Sequence, residues 1–339
     1  MIRVAVIGAG LIGRERIAAL SSLALDHKPV QTVGIFDADA EVCKKLAAQH
    51  STTALPSLDA VLDLRPDWVM VALPHDATVQ VAKRALDSGS SVLIEKPMGR
   101  DLVEAGQLLA YGMDRLRVGL NYRFYRGISA AIRDFKAGRF GEVISVELAL
   151  GHGCAPGQEK TWKLNDDRAG GGCLIDPGIH LLDLCLQLAP EVTPLGGSSW
   201  NGFWNTGIEE EVSLVLKAPG FSISVRISIV AWRSEFFLRI NGTEGYGIVT
   251  GRNRSYGDQK YIVGPRWGWR TAASQAASEH EVLVDDGRDV FKWEIESLLF
   301  GHSADPAWPQ CATAPEGFEV MKLVDNCREF LDLRRNYAE

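Results

Sequence analysis

This 339-residue chain lacks several things, and each absence excludes a class of function. It has no run of about 18 uncharged apolar residues, the length a membrane-crossing helix needs. It has no basic excess: 36 Lys and Arg stand against 43 Asp and Glu, for a net charge of −7. Nucleic acid calls for a clustered basic surface, so no nucleic-acid partner is expected. The six cysteines, at 43, 154, 173, 185, 311 and 327, form no C-x-x-C pair. They read as reduced thiols of a cytoplasmic protein, not as a disulfide framework. His152, Cys154, Cys173 and His180 match no standard zinc spacing, so no metal is expected. Nor is there a secretory signal, because Met1 to Ile7 reads as a strand with a Gly-rich turn directly after it. Asn241-Gly242-Thr243 and Asn253-Arg254-Ser255 therefore carry no weight as glycosylation sites. There is no internal repeat and no low-complexity tract.

What is present is ordinary in bulk, with 46% hydrophobic and 23% charged residues. That is the composition of a globular protein. The length exceeds one typical domain and predicts two.

About the first 120 residues alternate strand and helix. Ile2 to Ile7 is apolar except for Arg3, as a strand buried on both faces should be. A helix is expected from Gly10 to Ser21, a strand from Thr32 to Phe36, and a helix from Ala40 to His50. A strand Trp68 to Leu73 is stopped by Pro74. A helix Ala77 to Leu86 leads to a strand Ser91 to Glu95, a helix Asp101 to Ala110 and a last strand Leu116 to Leu120. Such β-α-β alternation predicts a parallel, doubly wound sheet with right-handed crossovers.

After Asn121 the pattern changes. Ile128 to Lys136 reads as a helix, and Val143 to Leu150 and Glu211 to Lys217 alternate. From Phe221 to Trp232, Phe221, Ile223, Val225, Ile227 and Ile229 face one way, and Ser222, Ser224, Arg226 and Ser228 face the other. Period two with one apolar face predicts an antiparallel sheet. Phe236 to Ile240 and Gly247 to Val249 add strands, and Asp289 to Phe300 and Glu316 to Arg334 read as helices. Residues 251–279, rich in Arg, Gly and Trp, predict long loops, with Trp267 and Trp269 available to stack on a ring or a subunit. The expected domains are residues 1–121 and 122–339.

Gly8-Ala9-Gly10-Leu11-Ile12-Gly13 opens the first helix directly after a strand. In a dinucleotide fingerprint the first glycine permits the tight turn and the second lets the backbone approach a pyrophosphate. The third allows close helix–strand packing, and the helix N-terminus faces the phosphates. Asp37 ends the next strand, where an acid accepts bonds from ribose hydroxyls and repels a 2′-phosphate. NAD is therefore preferred to NADP. Alternatively, Asp37 caps only the turn that follows. Leu73 and Pro74 end the third strand at the carboxyl edge of the sheet, where ligands lie in such folds.

Oxidising a secondary alcohol requires a base near neutral pKa and a cation to steady the developing alkoxide. Histidine titrates in that range unperturbed, whereas lysine must be lowered by its neighbours. Asp176 and His180 are four residues apart and would share a face if a helix runs from Pro177 to Leu188. On that spacing alone, Asp176 as a helix cap and His180 as a satisfied core residue stay open. Lys96 could equally be a surface lysine after a strand, although its place at the carboxyl edge beside Pro97 counts against this.

The ordered set Gly8–Gly13, Glu95-Lys96-Pro97, then Ala169-Gly170-Gly171-Gly172 and Asp176-Pro177-Gly178-Ile179-His180 resembles the glucose–fructose oxidoreductase/inositol dehydrogenase (Gfo/Idh/MocA) family. The resemblance covers nearly the whole chain. It implies an α/β N-terminal Rossmann domain and an α+β C-terminal domain with a large, mostly antiparallel open sheet. It implies NAD as cofactor, held by Gly8, Gly10, Leu11, Ile12, Gly13, Asp37, Leu73, Pro74, Glu95, Lys96 and Pro97. His180 then looks like the general base, Asp176 its orienter and a substrate contact, and Lys96 the cation on the substrate hydroxyl and the nicotinamide ribose. Pro97 would set the direction of the lysine. Asn121-Tyr122-Arg123-Phe124 resembles the family's Asn-x-Arg-aromatic segment, so Tyr122 and Arg123 either contact substrate or hold the domains together. Trp162-Lys163 stands where relatives carry Trp-Arg, and Lys163 either bonds substrate or is a solvated loop residue. One departure is Thr78, which stands where relatives often place a helper histidine; His75 lies nearby at a different spacing and receives no role.

The implied activity is hydride transfer between a cyclic polyol, sugar or sugar derivative and NAD. Two competing readings keep the same residues. One is an NAD-recycling glycosidase that oxidises transiently and eliminates; the other is a non-catalytic dinucleotide-binding regulator, which the intact Lys96, Asp176 and His180 argue against. Family members often pair through the open sheet, and the small serines of Phe221 to Trp232 suit such packing. A homodimer or homotetramer is therefore expected.

Overall fold

The computed structural model describes residues 1–266, 274, 278–301 and 308–333. The chain forms two compact units. Residues 1–121, 167–170 and 289–321 make the first, and residues 122–166, 171–288 and 322–339 the second. Trp267 and Trp269 lie outside the described residues.

The first unit is built on β1 (Ile2–Ile7), β2 (Val30–Phe36), β3 (Trp68–Val71), β4 (Ser91–Glu95) and β5 (Leu116–Gly119), all parallel. A two-residue strand, β14 (Ala312–Thr313), adds antiparallel to β5, giving the order β14-β5-β4-β3-β1-β2. Val4, Ala5, Val6, Val69, Met70, Val92, Leu93 and Ile94 are at most 1% exposed. Helices on both faces of a parallel sheet produce this burial, and it explains the unbroken apolar runs. The helices are α1 (Leu11–Leu25), α2 (Ala40–Gln49), α3 (Leu58–Asp63), α4 (His75–Asp87) and α5 (Leu102–Gly112). Asp39, Ser57 and Asp101 cap α2, α3 and α5 through their side chains. Each such cap stabilises its helix by about 1 kcal/mol. β14 has no sequence signature, because two residues cannot display a period.

The second unit holds an eight-stranded sheet in the order β13-β12-β11-β10-β6-β9-β8-β7. Its strands are β6 (Val143–Gly153), β7 (Thr193–Trp200), β8 (Glu211–Ala218), β9 (Phe221–Ser228), β10 (Val230–Gly242), β11 (Gly245–Thr250), β12 (Gln259–Pro265) and β13 (His280–Asp285). Among the described residues, only β6 and β9 of its pairs are parallel. The alternation holds over most of β9, with Ile223, Val225 and Ile227 buried and Ser222, Ser224 and Arg226 exposed, but Ser228, expected on the open face, is buried. Helices α6 (Arg126–Lys136) and α8 (Ile179–Leu188), with the short α7 (Asp166–Ala169) between them in sequence, precede most of the sheet. Leu181, Leu182 and Leu184 of α8 are fully buried. Each contributes about 1.5–3 kcal/mol of apolar burial.

Two expectations are corrected here. The run Phe221 to Trp232 is not one strand: it ends at Ser228, and Trp232 belongs to β10. The Ile229 N–H donates to the Glu210 carbonyl at 2.9 Å, turning the chain there. The apolar–polar alternation itself stops there, since Ile229-Val230-Ala231-Trp232 are all apolar. Residues 251–279 are not all loop, since β12 pairs with β11 from Gly245↔Pro265 to Thr250↔Lys260. The last helices are α9 (Val290–Phe300) and α10 (Ala314–Phe330). Among the described residues no helix is long and apolar enough to cross a membrane.

Candidate active site

In the first unit the strand order reverses at β1, which has β2 on one side and β3 on the other. Ligands of open α/β sheets bind at such a switch point, beyond the carboxyl ends of the strands. The Gly8–Gly13 turn lies there, and its glycines divide the work. Gly8 has φ +103°, and a Cβ on it would meet the Ala72 carbonyl at 2.2 Å. A Cβ on Gly13 would meet the Gly8 carbonyl at 1.9 Å. Gly10 is the opposite case, with nothing within 4 Å of a Cβ built on it. The turn is therefore packed at its first and third glycines and open at its second, beside the N-terminus of α1. That is the shape a pyrophosphate requires. Leu11 and Ile12 form the first turn of α1, with Leu11 62% exposed.

Asp37 does more than cap a turn. Its Oδ2 accepts the Ala9 N–H at 2.6 Å, and its Oδ1 accepts the Asp39 N–H at 2.8 Å. The carboxylate thus ties the end of β2 to the glycine turn. Leu73 and Pro74 follow β3, and Pro74 precedes the first residue of α4. His75, which received no role, is buried with Nδ1 2.5 Å from the Ala169 carbonyl oxygen. Thr78, at the helper position, donates its hydroxyl to the Pro74 carbonyl.

Glu95, Lys96 and Pro97 leave the carboxyl end of β4, and the Lys96–Pro97 peptide is cis. Glu95 Oε1 accepts Arg16 Nε at 2.7 Å, and Arg16 Nη1 reaches Glu294 Oε2 at 2.5 Å. Arg16 and Glu294 are wholly buried, so the residue before Lys96 is anchored to both α1 and α9. Burial acts to lower the pKa of Arg16, but Glu294 and Glu95 more than offset it and hold it raised.

The second unit carries Asp176 and His180. Helix α8 starts at Ile179, with Gly178 as its N-cap and no side-chain cap bond. The N-cap position is thus Gly178 and not Asp176, and Pro177 lies before the helix in a cis peptide with Asp176. The Gly-rich turn ahead of it is tight. A Cβ on Gly171 would lie 2.0 Å from an Arg328 guanidinium nitrogen, and one on Gly172 would lie 2.0 Å from the Glu209 carbonyl.

The imidazole of His180, 6% exposed, stacks on the Tyr122 ring with centroids 3.9 Å apart and planes at 12°. Lys163 Nζ is 3.6 Å from Asp176 Oδ2 and 5.9 Å from the Trp162 ring centroid. Tyr122, Trp162, Lys163, Asp176 and His180 thus fall into two contacting groups within one unit. Arg123 is engaged inside the unit: its Nε lies 2.9 Å from Asp183 Oδ2 and its Nη2 2.6 Å from Asp183 Oδ1. This bidentate pair lies within the second unit and joins the chain after Asn121 to α8.

Three residues absent from the expected set belong to this cluster. The Arg252 guanidinium donates to the Tyr122 hydroxyl and lies 4.2 Å from the Tyr256 ring centroid. His152, at the end of β6, has its pKa lowered by burial, an effect that Asp176 opposes and Lys163 and Arg252 reinforce. Burial pushes the Tyr122 hydroxyl well above its usual range, and Tyr256 rises for the same reason. Arg252 and Tyr256 lie in a segment without periodicity, so no pattern could have marked them.

Comparisons with known proteins place the chain. Residues 2–115 match the family model described as oxidoreductase family, NAD-binding Rossmann fold. Residues 129–247 match the GFO/IDH/MocA C-terminal domain. Glucose-6-phosphate 3-dehydrogenase of Bacillus subtilis is 27% identical over 194 residues, 56% of this chain and 54% of that protein. UDP-N-acetylglucosamine 3-dehydrogenase of Acidithiobacillus ferrooxidans is 31% identical over 189 residues, 55% of this chain and 54% of that protein. The chain spans about half the length of these curated relatives. A levoglucosan dehydrogenase, solved with NADH and levoglucosan, superposes with TM-score 0.77 at 19% identity over 97% of both chains. At that identity the likeness shows the fold.

Proposed function

Because this chain belongs to the Gfo/Idh/MocA oxidoreductase family, we propose that it is an NAD-dependent dehydrogenase of a cyclic polyol, sugar or sugar derivative. The observation that carries the proposal is the glycine turn, closed at Gly8 and Gly13 and open at Gly10, with Asp37 bonded to its Ala9 N–H. The Asp37 carboxylate favours NAD, because it accepts from a ribose hydroxyl and repels a phosphate. Gly10, Leu11 and Ile12 present the α1 N-terminus to the pyrophosphate, and Leu73, Pro74 and Pro97 line the carboxyl edge. When bound, the nicotinamide supplies the hydride acceptor.

The remaining work falls to the chain. His180 removes the proton from the reacting hydroxyl, and Tyr122, stacked on it, fixes the plane of its ring. Asp176, held by Lys163, orients the base and accepts from a neighbouring substrate hydroxyl. Lys96 supplies the positive charge for the alkoxide, and the Arg16–Glu95–Glu294 network steadies the strand end that carries it. Positioned acid–base catalysis of this kind is worth roughly 10²–10⁴-fold. The exposed face of the sheet bears Ser222, Ser224 and Arg226 and a shallow hollow of 430 Å³ reaching Gly197 and Phe237. Its small side chains suit a homodimer or homotetramer. A light-scattering mass near 37 kDa would exclude this.

The test is NADH formation with inositols, aldoses and sugar acids, with His180→Ala in parallel. Turnover on one class, lost in the variant, supports the dehydrogenase. Equal turnover in the variant removes His180 as the base.

A further inference from the structure

The geometry points to Arg252 as the receptor for an anionic group on the substrate, so that the sugar is an acid or a phosphate ester and not a neutral polyol. This rests on the dehydrogenase reading of the same cluster. Arg252 follows β11, and its guanidinium sits among three tyrosines, with Cζ 5.0 Å from the Tyr122 ring centroid, 5.8 Å from Tyr125 and 4.2 Å from Tyr256. One nitrogen donates to the Tyr122 hydroxyl. The Nε is buried and has no hydrogen-bond partner.

Among the described residues no carboxylate forms an ion pair with Arg252. The nearby Lys163 differs, since it already has Asp176 at 3.6 Å. A half-buried cation with its Nε enclosed and no counter-ion is costly to keep. Aromatic faces attract the guanidinium and hold its plane, but they offer no acceptor along its N–H directions. The guanidinium is therefore held with its Nε donor unspent, and carboxylate and phosphate oxygens are the acceptors it favours.

Its position is built, not incidental. The Arg252 N–H donates to the Gly257 carbonyl at 3.1 Å. The Arg252 carbonyl lies 2.3 Å from where a Cβ on Gly287 would be. Asn253 Nδ2 donates to the Gly287 carbonyl. One ring separates the cation from the proposed base: the Tyr122 that Arg252 contacts is the Tyr122 that stacks on His180. His152 responds to Asp176 and Arg252 together, which puts both charges within electrostatic range of one side chain. Lys163 is paired with Asp176, so within this cluster Arg252 is the cation whose charge no carboxylate offsets.

The experiment titrates the protein, saturated with NAD, with galacturonate and galactose, and with glucose 6-phosphate and glucose, by calorimetry. Wild type, Arg252→Gln and Arg252→Lys are compared. One acidic sugar should bind more tightly than its neutral counterpart, and the uronate and phosphate arms identify which anion. Arg252→Gln should weaken that acidic ligand by roughly 10–100-fold, the value of a hydrogen bond to a charged group, and leave the neutral one unchanged. If the Gln variant does not fold, Arg252→Lys decides, because it keeps the charge and loses the fork; about tenfold weaker binding of the acidic sugar alone is expected. Neutral sugars binding as well as both acids would overturn the proposal, as would equal weakening of both classes. Acid binding that depends on Arg252, with no NADH formed from any sugar, would sustain the anion site while refuting the dehydrogenase.

Discussion

Replacing Arg16 with methionine removes the cation between two carboxylates, one of them wholly enclosed. Arg16 and Glu294 are both 0% exposed by side chain, and Glu95 is 13% exposed. Methionine fills most of the space but takes away the cation that Glu294 and Glu95 share. Breaking a buried pair from one side costs about 3–5 kcal/mol, because the remaining charge stays desolvated. The cation–π contact of Arg16 with Phe291, at 4.9 Å, is lost as well. For a domain of this size each kcal/mol moves the melting temperature by about 2–4 °C, so Arg16→Met should melt roughly 6–20 °C below wild type. Scanning calorimetry provides the measurement. Adding Glu294→Leu to Arg16→Met removes one of the two facing carboxylates and should recover about 1–3 kcal/mol. A single variant that melts within about 2 °C of wild type, or a double variant no better than the single, would refute the reasoning.

Three further outcomes are expected. Asp37→Ser takes away both the ribose acceptor and the partner of the Ala9 N–H; NADH should bind roughly tenfold or more weakly by fluorescence titration, while NADPH binds at least as well as before. Unchanged preference would mean that Asp37 serves only the turn. Burial lowers the pKa of His152 below its unfolded value of about 6.5. Below that pH the unfolded chain binds a proton that the folded chain refuses, so stability falls as pH drops. His152→Asn should flatten the fall in melting temperature between pH 7 and 5, and parallel curves would count against it. The six cysteines are all buried, and burial pushes Cys154 up to about 11 and Cys327 to about 12. A thiol reagent at pH 8 should leave the native protein almost unmodified and titrate all six after denaturation; rapid reaction at Cys154 would contradict its burial.

The fold was legible where the chain repeats a period. Val4 to Ile7 and Val92 to Ile94 are continuous apolar runs because helices cover both faces of the parallel sheet. Ser222 to Ile227 alternates because one face of its sheet is open. Boundaries were less legible. Helix α1 continues to Leu25, four residues past the expected Ser21, and α8 begins at Ile179, two residues after Pro177. In the candidate site, the glycine turn, Asp37, Lys96, Asp176 and His180 were visible as ordered motifs.

By itself, the sequence determined the two kinds of sheet, the glycine turn and the family, because period and local turn chemistry act between residues close along the chain. Tertiary structure alone decided what those residues meet. It gave Arg123 to Asp183, which is 60 positions away, and Arg16 to Glu294, 278 positions away. It brought Arg252 onto a tyrosine 130 residues earlier, out of a segment with no pattern. Such pairings depend on which strands become neighbours, and no local period encodes the partner of a charge.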